Sequence, residues 1–445
     1  MKKVLILGAG MVVKPIVHYL LEKNFQVTVA TRTKSKADAM IGGHPNGRSL
    51  AWTVEDSETL DKLVAEHDLS VSLLPYAHHL MVAKMCIKHK KNMVTTSYVK
   101  PEMKALDADA KAAGIIILNE LGLDPGIDHM SAMRIIDTIH AKGGEVEEFY
   151  SFCGALVAPE VEKNPFNYKF TWAPKGVVMA GNNDGKYLRK GIVKDIPTED
   201  LFKNPLHVDF PEIGKLEVYP NRDSLPYVEL YGIPETKTMF RGTFRYTLWC
   251  EVIDAIKKLK MLSYDKINLD GKSYADLMAI LIKAGNSSDI KNKVAKFLEL
   301  SSDSAPIKAL EWLGFFENKS INRKEDSPFE VISDIMIEKM MIKDNERDMV
   351  VMQHTFVGKY KDGSKEVIKS RMLDFGTPET DTSIARTVAL PAAVGVEMIL
   401  KGEIKSKGVY IPVIPEIYNP ILDTLEKLDI VMVEEYGLPL SENIK

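Results

Sequence analysis

Short apolar runs separated by amphipathic stretches set the pattern of the first 122 residues. Residues 4–7, 26–30, 48–52, 70–74, 93–96 and 115–119 read as strands: short, apolar and bounded by turn residues. Between them residues 15–23, 57–66, 77–90 and 101–113 carry helical periodicity, with Pro in the first turn of two and Gly114 closing the last. Six strands joined by helical crossovers predict a doubly wound parallel sheet.

From residue 123 the pattern changes. Strand-like segments at 146–152, 176–179 and 215–218 lie among irregular stretches rich in Pro, Asn and Gly, which predicts a mixed α+β region. Residues 261 to about 320 read as helical and polar, a small α-helical insertion. Strand signals return at 349–360 and 364–374. Asp381-Thr382-Ser383 then caps a long apolar helix over 384–400, closed by Gly402. The expected organisation is a nucleotide-binding Rossmann-type domain over 1–122 and a mixed α+β substrate domain over 123–389 with a helical insertion at about 261–330. A C-terminal segment, about 390–445, is expected to return to the first domain.

The chain has 445 residues, enough for two or three domains. A hydrophobic content of 45% and a charged content of 27% fit a globular protein with a full core. The net charge of −4 gives no basic footprint for nucleic acid. No uninterrupted apolar run of about 18 residues suggests a membrane span, and the start has no signal-peptide pattern. Cys86, Cys153 and Cys250 are too few and too scattered for a disulfide framework or a zinc site. These readings predict a cytoplasmic enzyme without a metal.

The first strand breaks into Gly8-Ala9-Gly10-Met11-Val12-Val13 and then an apolar helix, the layout of a dinucleotide phosphate grip. Val13 stands where the usual fingerprint has its third glycine. The second strand ends in Thr31-Arg32-Thr33-Lys34 with no acid at its tip. A carboxylate there would repel a 2′-phosphate, whereas the Arg32 fork suits one, so NADP is expected. Further cofactor contacts are expected at later strand ends: Leu74 and Pro75, Thr96 and Ser97, Leu123 and Pro125. Segment 120–130 holds Asp124, Asp128 and His129 as candidate chemistry. If Pro125 begins the helix, Asp124 is its N-cap. Tyr98, on a neighbouring loop, is expected to share the cleft, and Cys153 has a plain reading as a small core residue. Arg222, Arg241 and Arg245 suit a substrate with several carboxylates, the alternative being salt bridges to local acids. Gly242 is expected to let the backbone approach a ligand.

Several segments together resemble the saccharopine dehydrogenase family, in particular its glutamate-forming branch. They are Gly8-Ala9-Gly10 with Val12 and Pro15; residues 97–103, 122–129 and 152–154; Asn164-Pro165; and residues 168–172, 219–224 and 241–246. The resemblance implies reversible, NADP-dependent oxidation of saccharopine at its secondary amine, releasing glutamate and 2-aminoadipate 6-semialdehyde, and a homodimer. It implies substrate contacts at Ser97, Tyr98, Asp124, Arg222, Thr243 and Arg245. Asp124, Tyr98 and Cys153 match near-catalytic positions. Residues 247–250 depart from the pattern and leave the amine open, so a carboxynorspermidine dehydrogenase-like coupling enzyme is an alternative. A non-catalytic NADP-binding regulator is another.

Overall fold

The computed structural model describes residues 1–444 and divides into two compact units: residues 1–146 with 358–438, and residues 147–357 with the C-terminal residues. In the first unit β1 (Lys3–Leu7), β2 (Gln26–Thr31), β3 (Gly47–Ala51), β4 (Leu69–Ser72), β5 (Asn92–Thr95) and β6 (Ile116–Leu118) form a parallel sheet. Val4 to Leu7 are wholly buried, as a central strand covered on both faces requires. Helices α1 (Lys14–Glu22), α2 (Lys34–Ile41), α3 (Ser57–Glu66) and α4 (His79–His89) supply crossovers. The stretch expected as one helix over 101–113 is two, α5 (Pro101–Lys104) and α6 (Asp107–Ala113). α2 was not predicted: it buries only Ala37 and Ile41, too little apolar periodicity to read.

After α7 (Ile127–Ala141) the chain enters the second unit along β7 (Glu145–Val157). There follow β8 (Gly185–Arg189), β9 (Ile192–Ile196), β10 (Leu206–Phe210), β11 (Gly214–Pro220), β12 (Arg222–Asp223) and β13 (Thr238–Tyr246). The short pair β14 (Ile267–Asn268) and β15 (Glu325–Asp326) brackets three helices, Tyr274–Leu281, Ile290–Phe297 and Ala305–Leu313. β16 (Asp348–Lys359) completes the sheet of this unit, in the order β10-β11-β13-β7-β16. β13 runs antiparallel to β11 and parallel to β7, so the sheet is mixed. Residues 176–179, read as a strand, belong instead to the helix Pro174–Ala180. Its proline start outweighs the short apolar run.

The first unit is then completed by β17 (Lys365–Phe375), β18 (Gly408–Tyr410) and β19 (Val433–Leu438). β17 and β19 pair antiparallel, and β18 joins the edge of β6 in parallel, giving the order β18-β6-β5-β4-β1-β2-β3. The helix Ser383–Lys401 is capped by the Thr382 hydroxyl and ends at left-handed Gly402. By length and composition it is apolar enough to span a membrane, but 78% of its apolar window is buried. It packs on α1, where the Tyr19 hydroxyl donates to Glu397.

Candidate active site

The strand order reverses between β1 and β4, and in such sheets ligands bind outside the carboxyl ends at that point. Gly8 holds φ +113°, and a Cβ there would lie 2.8 Å from the Leu73 carbonyl oxygen, so no other residue fits between the two strand ends. Gly10 faces open space, Met11 is exposed, and Val12 is half-buried. Val13, at the fingerprint's third glycine position, is wholly buried and is the N-cap of α1. No side chain caps that helix, which leaves its first N–H groups for a phosphate.

At the tip of β2, Thr31 is half-buried while Arg32 and Thr33 are exposed. Arg32 has no ion pair among the described residues, whereas Lys34 is bound to Asp38 at 2.7 Å. The Thr53 hydroxyl, with a smaller contribution from Arg32, holds the exposed Glu55 carboxyl below the usual range, so an acid from the loop after β3 lies near Arg32. Half-buried Leu74, exposed Pro75 and half-buried Thr96 follow β4 and β5. The glycine cradle, the uncapped helix and the unpaired arginine fit NADP.

The loops after β5 and β6 meet. The Tyr98 hydroxyl donates to Asp124 Oδ1 at 2.9 Å. Ser97 Oγ lies 2.8 Å from Nε2 of His79, whose Nδ1 is 2.8 Å from Ser72 Oγ. Burial lowers the His79 value to about 4, with a smaller push from His78, so this ring is neutral. A cleft of about 250 Å³ opens beside these residues, lined among others by Tyr76, His79, Tyr98, Lys100 and Asn119.

Asp124 is not a helix cap. The Asp124–Pro125 bond is cis, and α7 begins at Ile127 with Gly126 as N-cap. A Cβ on Gly126, at φ +147°, would fall 2.0 Å from the Gly122 oxygen. Only glycine fits where Gly122 and Gly126 cross, and the loop between them presents half-buried Asp124 with Leu123 and Pro125 buried. Asp128 and His129 are fully buried: Asp128 accepts from the Gly126 N–H at 2.6 Å, and His129 Nε2 lies 2.8 Å from Glu120 Oε2.

In the second unit Arg241, Thr243 and Arg245 alternate along β13 and so share one face. Thr243 is in register with Tyr219 of β11 and with Cys153 of β7. Cys153 is buried and has no disulfide. Arg245 is 4% exposed; it donates to the Phe244 carbonyl, and its guanidinium lies 4.8 Å from the Tyr168 ring centre and 5.3 Å from that of Trp249. Among the described residues it has no carboxylate partner, and its Nε, the Tyr168 hydroxyl and the Trp249 Nε1 are buried without hydrogen bonds. A buried cation among unused donors carries a solvation cost that a bound anion would offset. The Arg241 guanidinium stacks 4.1 Å over the Tyr227 ring. Arg222 is exposed on β12 at φ +58°. Gly242, expected to admit a ligand, is required by the core: a Cβ there would lie 2.3 Å from Val218 Cγ1.

The sequence reading missed His79, Glu120, Tyr168 and Trp249. The signal for the last two was their aromatic character beside an arginine-bearing strand.

This fold and this donor set define a nicotinamide-dinucleotide-dependent oxidoreductase of the α/β class. The saccharopine dehydrogenase NADP binding domain matches residues 4–118, and the saccharopine dehydrogenase C-terminal domain matches residues 122–430. The chain belongs to the saccharopine dehydrogenase family. It is 38% identical to the saccharopine dehydrogenase [NADP(+), L-glutamate-forming] of Schizosaccharomyces pombe, over 98% of this chain and 99% of that one. Identity to the Saccharomyces cerevisiae enzyme of the same name is 35%, over 99% of both chains. The solved structure of apo saccharopine dehydrogenase (L-Glu forming) from Saccharomyces cerevisiae superimposes with a TM-score of 0.91, covering 98% of this chain and 100% of that chain at 34% identity.

Proposed function

We propose that the chain interconverts saccharopine and NADP+ with glutamate, 2-aminoadipate 6-semialdehyde and NADPH, one water being consumed in the oxidative direction. The observation that carries this reading is the end-to-end match to glutamate-forming saccharopine dehydrogenases at 35–38% identity. Two features of the chain support it. Arg32 stands unpaired where a 2′-phosphate is read, and Arg245 is a buried cation with no carboxylate at ion-pair distance among the described residues, which suits a substrate with three carboxylates.

The dinucleotide supplies hydride exchange with the carbon next to the substrate nitrogen. Gly8, Gly10 and the start of α1 hold its pyrophosphate, with Met11 and Val12 in the same turn. Thr31, Arg32 and Thr33 take the adenosine phosphate. Leu74, Pro75, Thr96, Ser97, Leu123 and Pro125 line the remaining edge. Arg222, Thr243 and Arg245 bind substrate carboxylates, and Ser97 orients the substrate. Two protons must move, one at the amine and one at the attacking water. Asp124 exchanges them, with Tyr98 fixing the carboxylate by its hydroxyl bond. Cys153, in register with Thr243, completes the near-catalytic set with Asp124 and Tyr98. Clamping a flexible, multiply charged substrate supplies much of the acceleration. We further propose a cytoplasmic homodimer.

The test is formation of the reduced dinucleotide, NADPH from saccharopine with NADP+ and NADH with NAD+, then the same assay with other secondary amines of amino acids. Turnover of saccharopine with NADP+ is expected. Turnover of a different amine alone would transfer the protein to another coupling reaction, and tight NADPH binding without any turnover would make it a regulator.

A further inference from the structure

Glu120 is an unusual residue for its place. It is a carboxylate at the end of β6, 4% exposed, with its backbone at φ +56°, a conformation L-residues seldom adopt. That left-handed turn lets one residue grip both neighbours of Tyr98. The Glu120 N–H donates to the Ser97 carbonyl at 3.1 Å, and the Val99 N–H donates to Glu120 Oε1 at 2.7 Å. The second carboxylate oxygen, Oε2, lies 2.8 Å from His129 Nε2 on the first turn of α7. The preceding Asp128 accepts from the Gly126 N–H, two residues beyond Asp124, and its Oδ2 lies 3.7 Å from His129 Nδ1. Hydrogen bonds thus tie the backbone on either side of Tyr98 through Glu120 to His129 at the start of α7, and the adjacent Asp128 holds the backbone of the loop that carries Asp124. None of Glu120, His129 and Asp128 belongs to the residues assigned above to substrate or cofactor.

We propose that Glu120 is a positioning residue, a clamp that holds the Tyr98 loop and the Asp124 loop in the register at which the Tyr98 hydroxyl meets Asp124. A charged, two-ended acceptor buried out of water costs desolvation and persists only with its full set of donors, which Val99 and His129 supply. A strained backbone held by surrounding bonds is the mark of a site kept for geometry. The role rests on the assignment of Tyr98 and Asp124 to the oxidation of saccharopine.

The test uses Glu120→Ala and Glu120→Gln in the full chain, each alone and combined with Tyr98→Phe. Gln keeps an acceptor for Val99, so it serves where the Ala variant does not fold. If the clamp acts through Tyr98, Glu120→Ala lowers kcat by about tenfold or more while NADPH affinity, read by fluorescence titration, moves less than about threefold. Glu120→Gln recovers part of the loss. In the Tyr98→Phe background the same substitutions change kcat by less than about threefold, because the interaction they protect is already gone. An unchanged kcat, or an equal loss in both backgrounds, overturns the proposal. Crystal structures of the variants decide the matter independently of turnover. The Tyr98 hydroxyl is expected to leave Asp124, and a retained bond between them overturns the clamp even if saccharopine proves not to be the substrate.

Discussion

The Tyr98 hydroxyl donates to Asp124 across 2.9 Å, joining two loops that leave adjacent strands of the nucleotide-binding sheet. A carboxylate that moves protons needs a fixed direction, and this bond provides it. Tyr98→Phe removes one donor and leaves the ring. The expected result in steady-state kinetics is a fall in kcat of about 10- to 100-fold with NADPH affinity nearly unchanged. A variant with wild-type kcat would remove Tyr98 from the chemistry.

Arg32 is exposed and unpaired at the end of β2, with no acid on that strand tip. Arg32→Ala is expected to weaken NADPH by about 2 kcal/mol, some thirtyfold, the worth of a charge-assisted contact. NADH, lacking the phosphate, should change far less. Equal losses for both cofactors, measured by fluorescence titration, would show that Arg32 does not read the phosphate.

Arg245 is a buried cation that stacks among the Tyr168, Tyr219 and Trp249 rings and donates to the Phe244 carbonyl, with no ion pair among the described residues. Arg245→Met keeps the bulk and removes the charge. Because an unpaired buried charge costs stability, the ligand-free variant should melt at the wild-type temperature or above it. Its kcat/KM for saccharopine should fall by about 100-fold or more, with the loss largely in KM. A variant that melts early yet keeps its KM would mark Arg245 as structural.

Leu248 begins a helix in the left-handed region, at φ +82°, and its N–H donates to Glu217. It is 37% exposed, so truncation also gives up the covered part of the leucine, about 1–2 kcal/mol of apolar burial. Leu248→Gly relieves about 1–2 kcal/mol of backbone strain against about 0.5–1 kcal/mol of added chain entropy. Strain relief therefore offsets much of the loss, and the urea midpoint should report a destabilisation of no more than about 1–2 kcal/mol; a larger drop would refute the strain argument.

His79 bridges Ser72 and Ser97 as a neutral ring, with burial lowering its value to about 4. The unfolded chain binds this proton below about pH 6.5, and the folded chain binds it only below about 4. Between those values acidification favours unfolding, so the contribution is complete above the window and is lost as pH falls through it. Its full size is about 3 kcal/mol. The difference in stability between wild type and His79→Asn should therefore change across that window and stay flat above it. A constant difference would show that the imidazole titrates normally.

The strands of the nucleotide-binding sheet were legible because each is a short apolar run ended by a turn, and burial on both faces leaves little freedom in such a run. α2 was not, since its sequence hides only two side chains. The glycines read as ligand-facing have different causes. Gly8 does allow the close approach of Leu73, but Gly242 is explained by Val218, a neighbour from another strand that no local pattern reveals. Asp124 was found as a polar residue before an apparent helix start. Its real setting depends on the crossing of Gly122 and Gly126, which is a property of the folded loop. Glu120 opens the segment 120–130, but no local pattern marks its role, because its partners Val99 and His129 meet it only in three dimensions.

β18 lies along β6 by pairing Gly408 with Ile116, so the outermost seat of the nucleotide-binding sheet is filled by chain made long after its neighbour. While the ribosome is still working through the second unit, β6 must wait with a row of unsatisfied amides and carbonyls, a template for any stray strand. Closing this distant contact costs loop entropy, and native pairing of the β6 edge can only follow synthesis of residues 408–410. Nascent chains stalled before Gly408 should be the ones that chaperones capture, whatever fraction of the glycine-rich grip they have already built.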